Sequence, residues 1–218
     1  MAGMSSLSEL AEQALLLGYS GIVVLEPWGS IEALDRLKSE SKALKGTDFG
    51  VFAGIDIQPK SVVEMSEAIE KLKDEPVLIT VSSGDPEVCK FACENPRVDM
   101  LSIQPDQREM LGFSALEAAS RNGIAINFCF RHVLVALRRQ RAALLRRMEE
   151  NISAAQLAKA PITVSSGASS VWEMRDPREL IGLVNVLGME LSHAFATVSD
   201  IPQHIIQKRL EARPGGSD

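Results

Sequence analysis

The sequence predicts an α/β fold: one TIM-barrel-like parallel β/α barrel over residues 1–210, followed by a disordered tail at 211–218. Three observations predict it. Short aliphatic and β-branched runs alternate with segments of helical period from start to finish. Runs such as 21–25 are continuously apolar, as in strands covered by helices on a parallel sheet. The hexapeptide Ile-Thr-Val-Ser-Ser-Gly also occurs twice, at 79–84 and 162–167. Each copy is a buried run, then small hydroxyl residues, then glycine, which is how a parallel strand leaves a sheet for a helix. The copies lie three strand–helix units apart, whereas a duplicated half-barrel would set them four apart. They are therefore read as similar strand exits, not a repeat. A doubly wound open sheet is the alternative, and the count of strand–helix units favours the barrel.

Each element has its own signal. Residues 7–17 read as a helix, with Leu7, Leu10, Ala11 and Ala14 at helical spacing and Gly18 as the stop. Residues 21–25 are a buried strand, and 30–44 a helix capped by Ser30 with Ala33, Leu34 and Leu37 turned inward. Strand 49–57 is followed by helix 59–72, strand 77–81 by helix 86–94, and strand 99–103 by helix 109–122, which Gly123 ends. Strand 124–130 leads into a long helical stretch at 132–158, in one helix or two. Strand 162–164, helix 177–187, a short seventh strand at 191–195 and a last helix at 201–210 complete the series. The tail, with Pro214-Gly215-Gly216-Ser217, lacks the apolar residues to order itself. The first clear element is a helix, and residues 1–5 are too few and too polar for the strand that should precede it. The expectation is a barrel whose first strand is missing from this chain, with more residues before Met1 in the native protein. Strands 21–25 and 191–195 are then two open edges lying side by side across a gap.

Composition narrows the function classes. The chain has 218 residues, 45% hydrophobic and 24% charged, enough for one substantial core. No apolar run is long enough to cross a bilayer, no leader is legible, and an odd set of three cysteines forms no disulfide framework. A soluble, cytoplasmic protein is expected. The net charge of −6 argues against autonomous nucleic-acid binding, though not against a local basic patch.

Metal-dependent hydrolysis, common on barrels, needs clustered His, Asp or Glu. The three histidines, His132, His193 and His204, form no pair at ligand spacing. Cys89 and Cys93 share a helical face without a second pair, which suits two small buried side chains. Ser165 and Ser166 lack a Gly-x-Ser-x-Gly elbow and a histidine base. Their turn, Ser165-Ser166-Gly167-Ala168, either offers N–H and hydroxyl groups to a phosphate or simply turns the chain. Beyond it, Trp172-Glu173-Met174-Arg175-Asp176-Pro177-Arg178 sets Arg175 and Arg178 past a strand's carboxyl end, where such folds keep working residues.

The strongest charge feature spans 131–147, with Arg131, Arg138, Arg139, Arg141, Arg146 and Arg147 and no lysine. At about 100° per residue, Arg131, Arg138, Arg139 and Arg146 share one arc of a helix. Val133, Leu137, Leu144 and Met148 then face a core, and Arg141 lies at the apolar edge, partly buried against a carboxylate or backbone partner. Arginine in place of lysine suits phosphate or carboxylate contacts. The alternative is a solvated face partly neutralised by Glu149 and Glu150. No aromatic residue interleaves with these arginines, so base stacking is not suggested.

Several segments, in order, resemble one family: Gly18-Tyr19-Ser20-Gly21-Ile22, Phe52-Ala53-Gly54-Ile55-Asp56-Ile57, Asp99-Met100-Leu101-Ser102-Ile103 and Asn122-Gly123-Ile124-Ala125-Ile126-Asn127-Phe128. The arginine-bearing helix, Ala160-Pro161-Ile162-Thr163-Val164-Ser165-Ser166-Gly167-Ala168, Met174-Arg175-Asp176-Pro177-Arg178-Glu179-Leu180 and Leu187-Gly188-Met189 follow. Together they resemble the archaeal ribonuclease P protein component 3 family, counterpart of the eukaryotic thirty-kilodalton RNase P subunit. The resemblance implies a seven- or eight-stranded barrel related to the metal-dependent phosphoesterase (PHP-like) barrels but without their metal ligands. It implies a ribonucleoprotein subunit in which RNA, using Mg2+, removes 5′ leaders from precursor tRNA. The chain itself then has no catalytic residue and no cofactor. The implied partners are RNase P RNA, a second small protein subunit and, indirectly, precursor tRNA, with no membrane. Members usually open with an Asp-bearing strand that this sequence lacks. Arg131, Arg138, Arg139, Arg141, Arg146, Ser165, Ser166, Arg175 and Arg178 are the candidates for RNA or partner contact. A catalytic PHP-type phosphoesterase is the competing class.

Overall fold

Six parallel strands form one curled sheet in the order of the chain, β1-β2-β3-β4-β5-β6, each paired with the strand before it. The computed structural model describes residues 5–43, 49–105, 107 and 109–211. Helix α1, Leu7–Leu16, starts in a capping box: Ser6 Oγ accepts from the Glu9 N–H, and the Glu9 carboxylate accepts from the Ser6 N–H. Strand β1 (Gly21–Pro27), helix α2 (Ile31–Ala43), strand β2 (Gly50–Ile57) and helix α3 (Val62–Lys71) follow. Then come β3 (Leu78–Ser83), α4 (Pro86–Glu94), β4 (Met100–Ile103) and α5 (Phe113–Asn122), which Gly123 ends at φ 66. The chain continues through β5 (Ala125–Cys129), α6 (Phe130–Val135), α7 (Arg138–Leu157) and β6 (Ile162–Ser165). A 3-10 turn, Val171–Glu173, leads to α8 (Pro177–Val186), α9 (Leu191–Ala196) and α10 (Asp200–Glu211).

The two faces of the sheet differ in chemistry. Ile55, Ile57, Ile79, Val81, Leu101, Ile126, Phe128, Ile162 and Val164 belong to the main core, with the apolar stripes of α3, α4, α5, α7 and α8. The alternate positions fill the concave side. Near the amino ends of the strands Leu78 and Ala125 are apolar and meet Ile201, Ile205 and Ile206 of α10, which plugs that end. Toward the carboxyl ends the same face turns polar, with Thr80, Ser82, Ser102, Asn127 and Thr163 all buried. These strands therefore alternate in chemistry, where a sheet covered by helices on both faces would be apolar throughout. The inward hydroxyls are small enough to sit where the curled sheet is crowded.

Residues 191–195 are not a strand. They lie in α9, where the Ala194 N–H donates to the Glu190 carbonyl at 2.8 Å and only Ala194 is buried. Leu191 and Phe195 stand outward, so the apolar run has helical rather than sheet spacing. Among the described residues the sheet thus has six strands, its edges are β1 and β6, and these two do not pair. The loop after β6 is instead tied to the start of the chain. The Ser5 N–H donates to the Ser169 carbonyl at 3.2 Å, the Val171 N–H to Ser5 Oγ at 3.2 Å, and the Tyr19 hydroxyl to the Arg175 carbonyl at 2.8 Å. Residues 1–4, part of the missing-strand expectation, and 212–218, most of the expected tail, lie outside the described residues.

Candidate nucleic-acid interface

The carboxyl-end rim is built from hydrogen-bonded polar groups. Asp56, on β2, accepts from Ser82 Oγ at 2.6 Å and from Gln58 Nε2 at 2.7 Å. Asn127 Nδ2 donates to Ser102 Oγ, and Thr163 Oγ1 donates to Asn127 Oδ1, both at 3.2 Å. No motif points to this ladder. Its one signal in the sequence is the small polar residues at alternate positions of β3, β4, β5 and β6.

The candidate chemistry of the other groups resolves in their surroundings. His132, His193 and His204 sit apart on α6, α9 and α10, and no group of three His, Cys, Asp or Glu gathers at a metal-sized site among the described residues. Cys89 and Cys93 are buried on α4, and burial pushes the Cys93 thiol up to about 12, so it packs as a small apolar group.

Ser165 ends β6, and Ser166 spends its groups on the turn. Its carbonyl accepts from the Arg131 N–H at 3.0 Å and its hydroxyl from the Ala168 N–H at 3.4 Å. Gly167 has φ 59, and a Cβ there would lie 2.0 Å from Cys129 Sγ. The turn is closed on itself, which favours its chain-turning role over a phosphate cradle.

Arg131 and Arg175 brace this rim. Arg131 Nε donates to both Glu173 carboxylate oxygens, at 3.1 and 3.0 Å, and Glu173 also accepts from the N–H and hydroxyl of Ser169 at 2.9 and 2.8 Å. Burial opposes the Glu173 charge, but the Ser169 and Arg131 contacts outweigh it and hold its carboxyl below the usual range. Arg175 Nη1 donates to the carbonyls of Trp172 and Met174 at 3.1 and 2.6 Å, and its guanidinium lies 5.5 Å from the Phe130 ring centre. Trp172 itself is 80% exposed. It sets an aromatic surface beside the rim arginines that no spacing within 131–147 could reveal. Burial and the nearby Asp176 and Glu179 push the Tyr19 phenol up to about 12, so it stays a donor.

The long arginine segment is broken. Ala136 and Leu137 are extended, and Arg138 has φ 42. Arg131 therefore does not share an arc with Arg138, Arg139 and Arg146, and Leu137 is 68% exposed instead of facing a core. Val133, Leu144 and Met148 are buried as expected. Arg141 holds the break. Its Nε donates to the carbonyls of Val133 and Ala136 at 3.0 and 2.9 Å, and its Nη2 to Leu134 at 3.3 Å. These are carbonyls left without helical partners where α6 ends. The expected backbone partner is there, but the side chain is exposed rather than partly buried. Arg146 is exposed and pairs with Glu150 at 3.2 Å, and Arg147 Nη2 donates to the Pro105 carbonyl at 2.7 Å.

What remains is the amino end of α7. Leu137 gives no side-chain cap, and the first turn has no acid. Helix starts ordinarily favour a polar cap and negative charge. Here Arg138 and Arg139 are exposed and, among the described residues, without an ion-pair partner. Uncapped N–H groups, the positive end of the helix and two arginines together suit a phosphate. Arg178 is also exposed, on the first turn of α8.

Comparison with known proteins gives this geometry a family. The family model described as RNase P subunit p30 matches residues 2–213. "Ribonuclease P protein component 3" of Methanosarcina mazei is 29% identical over 215 residues, covering 98% of this chain and 86% of that protein. The protein of the same name from Methanothermobacter thermautotrophicus is 30% identical over 209 residues, covering 93% and 84%. A chain in the cryo-EM structure of archaeal ribonuclease P with mature tRNA superposes with a TM-score of 0.80 at 20% identity, covering 95% of this chain and 91% of that one. The curled parallel sheet is thus a fold already seen, and the chain belongs to the RNase P subunit p30 family.

Proposed function

We propose a division of labour for this ribonuclease P subunit in tRNA 5′ maturation. The RNA, with Mg2+, cuts the precursor, and this chain supports the RNA through the amino end of α7. The observation that carries the reading is the reversed electrostatics of that helix start, with Arg138 and Arg139 where an acid or cap belongs. Arg141 positions the pair by capping α6. Arg146 and Arg178 add exposed charge, whereas Arg131, Arg175, Ser165 and Ser166 shape the rim. The acidic whole is compatible with this, because the contact is local and shared with a second small protein subunit. The finer fold reading, a barrel of seven or eight strands, needs a further strand between β6 and β1, and the half-buried β1 edge is available to pair with it. A cytoplasmic location goes with the RNA partnership. Among the described residues no helix is long and apolar enough to cross a membrane.

Replacing Arg138, Arg139 and Arg146 together with Ala should weaken assembly with RNase P RNA. The log–log salt slope should fall by about 0.7–0.9 for each phosphate no longer neutralised. An unchanged slope across a salt titration returns these arginines to a solvated face. The purified chain alone should cleave precursor tRNA no faster than buffer. Metal-dependent cleavage that survives removal of contaminating nucleases would restore the phosphoesterase reading.

A further inference from the structure

At the opposite end of the sheet, α2, β2, the start of β3 and α10 line a half-open cavity of about 340 Å3. That size falls in the range of small-ligand sites, roughly 300–1,000 Å3. Its walls are mainly apolar, with Phe52, Ala53, Pro76, Leu78, Ile206 and Leu210, and Lys38, Lys42 and Arg209 also line it.

Two of these three cations are already balanced. Lys38 pairs with Glu75 and, at 3.6 Å, with Asp35. Arg209 holds Asp99 through Nε at 3.0 Å and Nη2 at 2.7 Å. Lys42 is exposed in the last turn of α2 and has no ion-pair partner among the described residues. Beside it, Ser41 lines the same cavity, is 4% exposed, and has a hydroxyl with no hydrogen-bond partner. A buried hydroxyl left unpaired is costly and rare in native proteins, and a turn about its Cα–Cβ bond lets Ser41, on the cavity wall, offer this donor to an acceptor there.

We infer that this cavity binds a small amphiphilic carboxylate, its apolar body against Phe52, Leu78 and Ile206 and its charge met by Lys42 and the Ser41 hydroxyl. The charge balance decides the class. One unbalanced cation matches one negative charge, whereas a nucleotide or polyphosphate would press further charge toward Glu75. Bound there, the ligand spans α2 and α10 and ties the carboxyl-terminal helix to the sheet. Two sources present this chemistry: a free aliphatic carboxylate, and the apolar carboxyl terminus of a peptide.

The test is methyl NMR of the whole chain, titrated with octanoate, with octanol, and with acetyl-Leu-Leu carrying a free or an amidated carboxyl end. Octanoate or the free-acid peptide should shift the Leu78, Ile206 and Leu210 methyls saturably and raise the melting temperature. Whichever of the two binds tighter identifies the source. Octanol and the amide should bind at least tenfold more weakly. Lys42→Gln, at an exposed position that leaves the fold intact, should weaken the carboxylate about tenfold, the effect expected of one charge-assisted hydrogen bond. No saturable shift with any probe overturns the inference. So does equal affinity for octanol and octanoate, or an unchanged affinity in the Lys42→Gln protein.

Discussion

Gly167 stands where two constraints meet. Its φ of 59 disfavours any side chain, and the space a Cβ would take is filled by Cys129 Sγ at 2.0 Å. Gly167→Ala should therefore destabilise by about 1–3 kcal/mol, read as a lower urea midpoint at unchanged slope. Adding Cys129→Ala should restore only the steric part. Glu173 gives a pH signature. Its folded-state pKa is lowered, so its stabilising contribution is present above the unfolded carboxylate range and is lost as pH falls through the folded value. The stability gap between the natural protein and Glu173→Gln should be widest near neutrality and close as the solution is acidified. A gap independent of pH would show that the Arg131–Glu173 pair does not depend on the carboxylate's charge. At this scale the sequence is partly legible. It places Arg141 at an apolar edge with a backbone partner, and the side chain has three carbonyls. Its exposure is not legible, because burial depends on the break beside it. Ser166 suggests a phosphate ligand in sequence because its hydroxyl's partner, the Ala168 N–H, exists only once the turn has closed.

The α6–α7 break shows what periodicity misses. A continuous helical pattern puts Arg131, Arg138, Arg139 and Arg146 on one arc, yet beyond the β-branched Val133 and Val135 the extended pair Ala136–Leu137 interrupts it. β-Branched residues weaken a helix only slightly, so the interruption is decided by tertiary bonds such as those of Arg141. Arg141→Ala should cost about 1 kcal/mol and loosen the start of α7, seen as faster hydrogen exchange there. Arg141→Lys should not recover it, since a single ammonium cannot span three carbonyls as the planar fork does. The run at 191–195 misleads for the same reason. So short a segment fits either period, and only the burial of Ala194 in the main core chooses the helix. Elements with strong boundary chemistry, such as Pro86 after Asp85 or Gly123 after Asn122, stand where the sequence puts them.

For the whole molecule the decisive tie is Arg209 with Asp99. Burial pushes the Asp99 carboxyl up, and the Arg209 guanidinium, the Ile79 N–H at 2.8 Å and Lys208 draw it back only in part. Arg209→Ala leaves a buried charge unpaired and should cost about 3 kcal/mol, with α10 the first segment to exchange its amides. If α10 stays as protected as the main core in that variant, its apolar plug alone holds it. The parallel barrel-like order is legible from alternation and strand exits. An open seam between two edges is legible too, but with 191–195 in place of β6 as its second edge; what joins the ends among the described residues, Ser5 with Ser169 and Tyr19 with Arg175, links residues far apart in the chain and leaves no local pattern.

The strictly sequential strand order also says how the molecule can be made. Every strand pairs with its predecessor, so each new strand finds its template already present as the chain leaves the ribosome. Loop-closure entropy stays small at each addition. The bonds from Ser5 and Tyr19 to the loop after β6, and from Lys208 and Arg209 back to Asn122 and Asp99, must wait for distant segments. Synthesis thus builds the sheet like a row of slats, and α10, translated after all six strands, seals the floor.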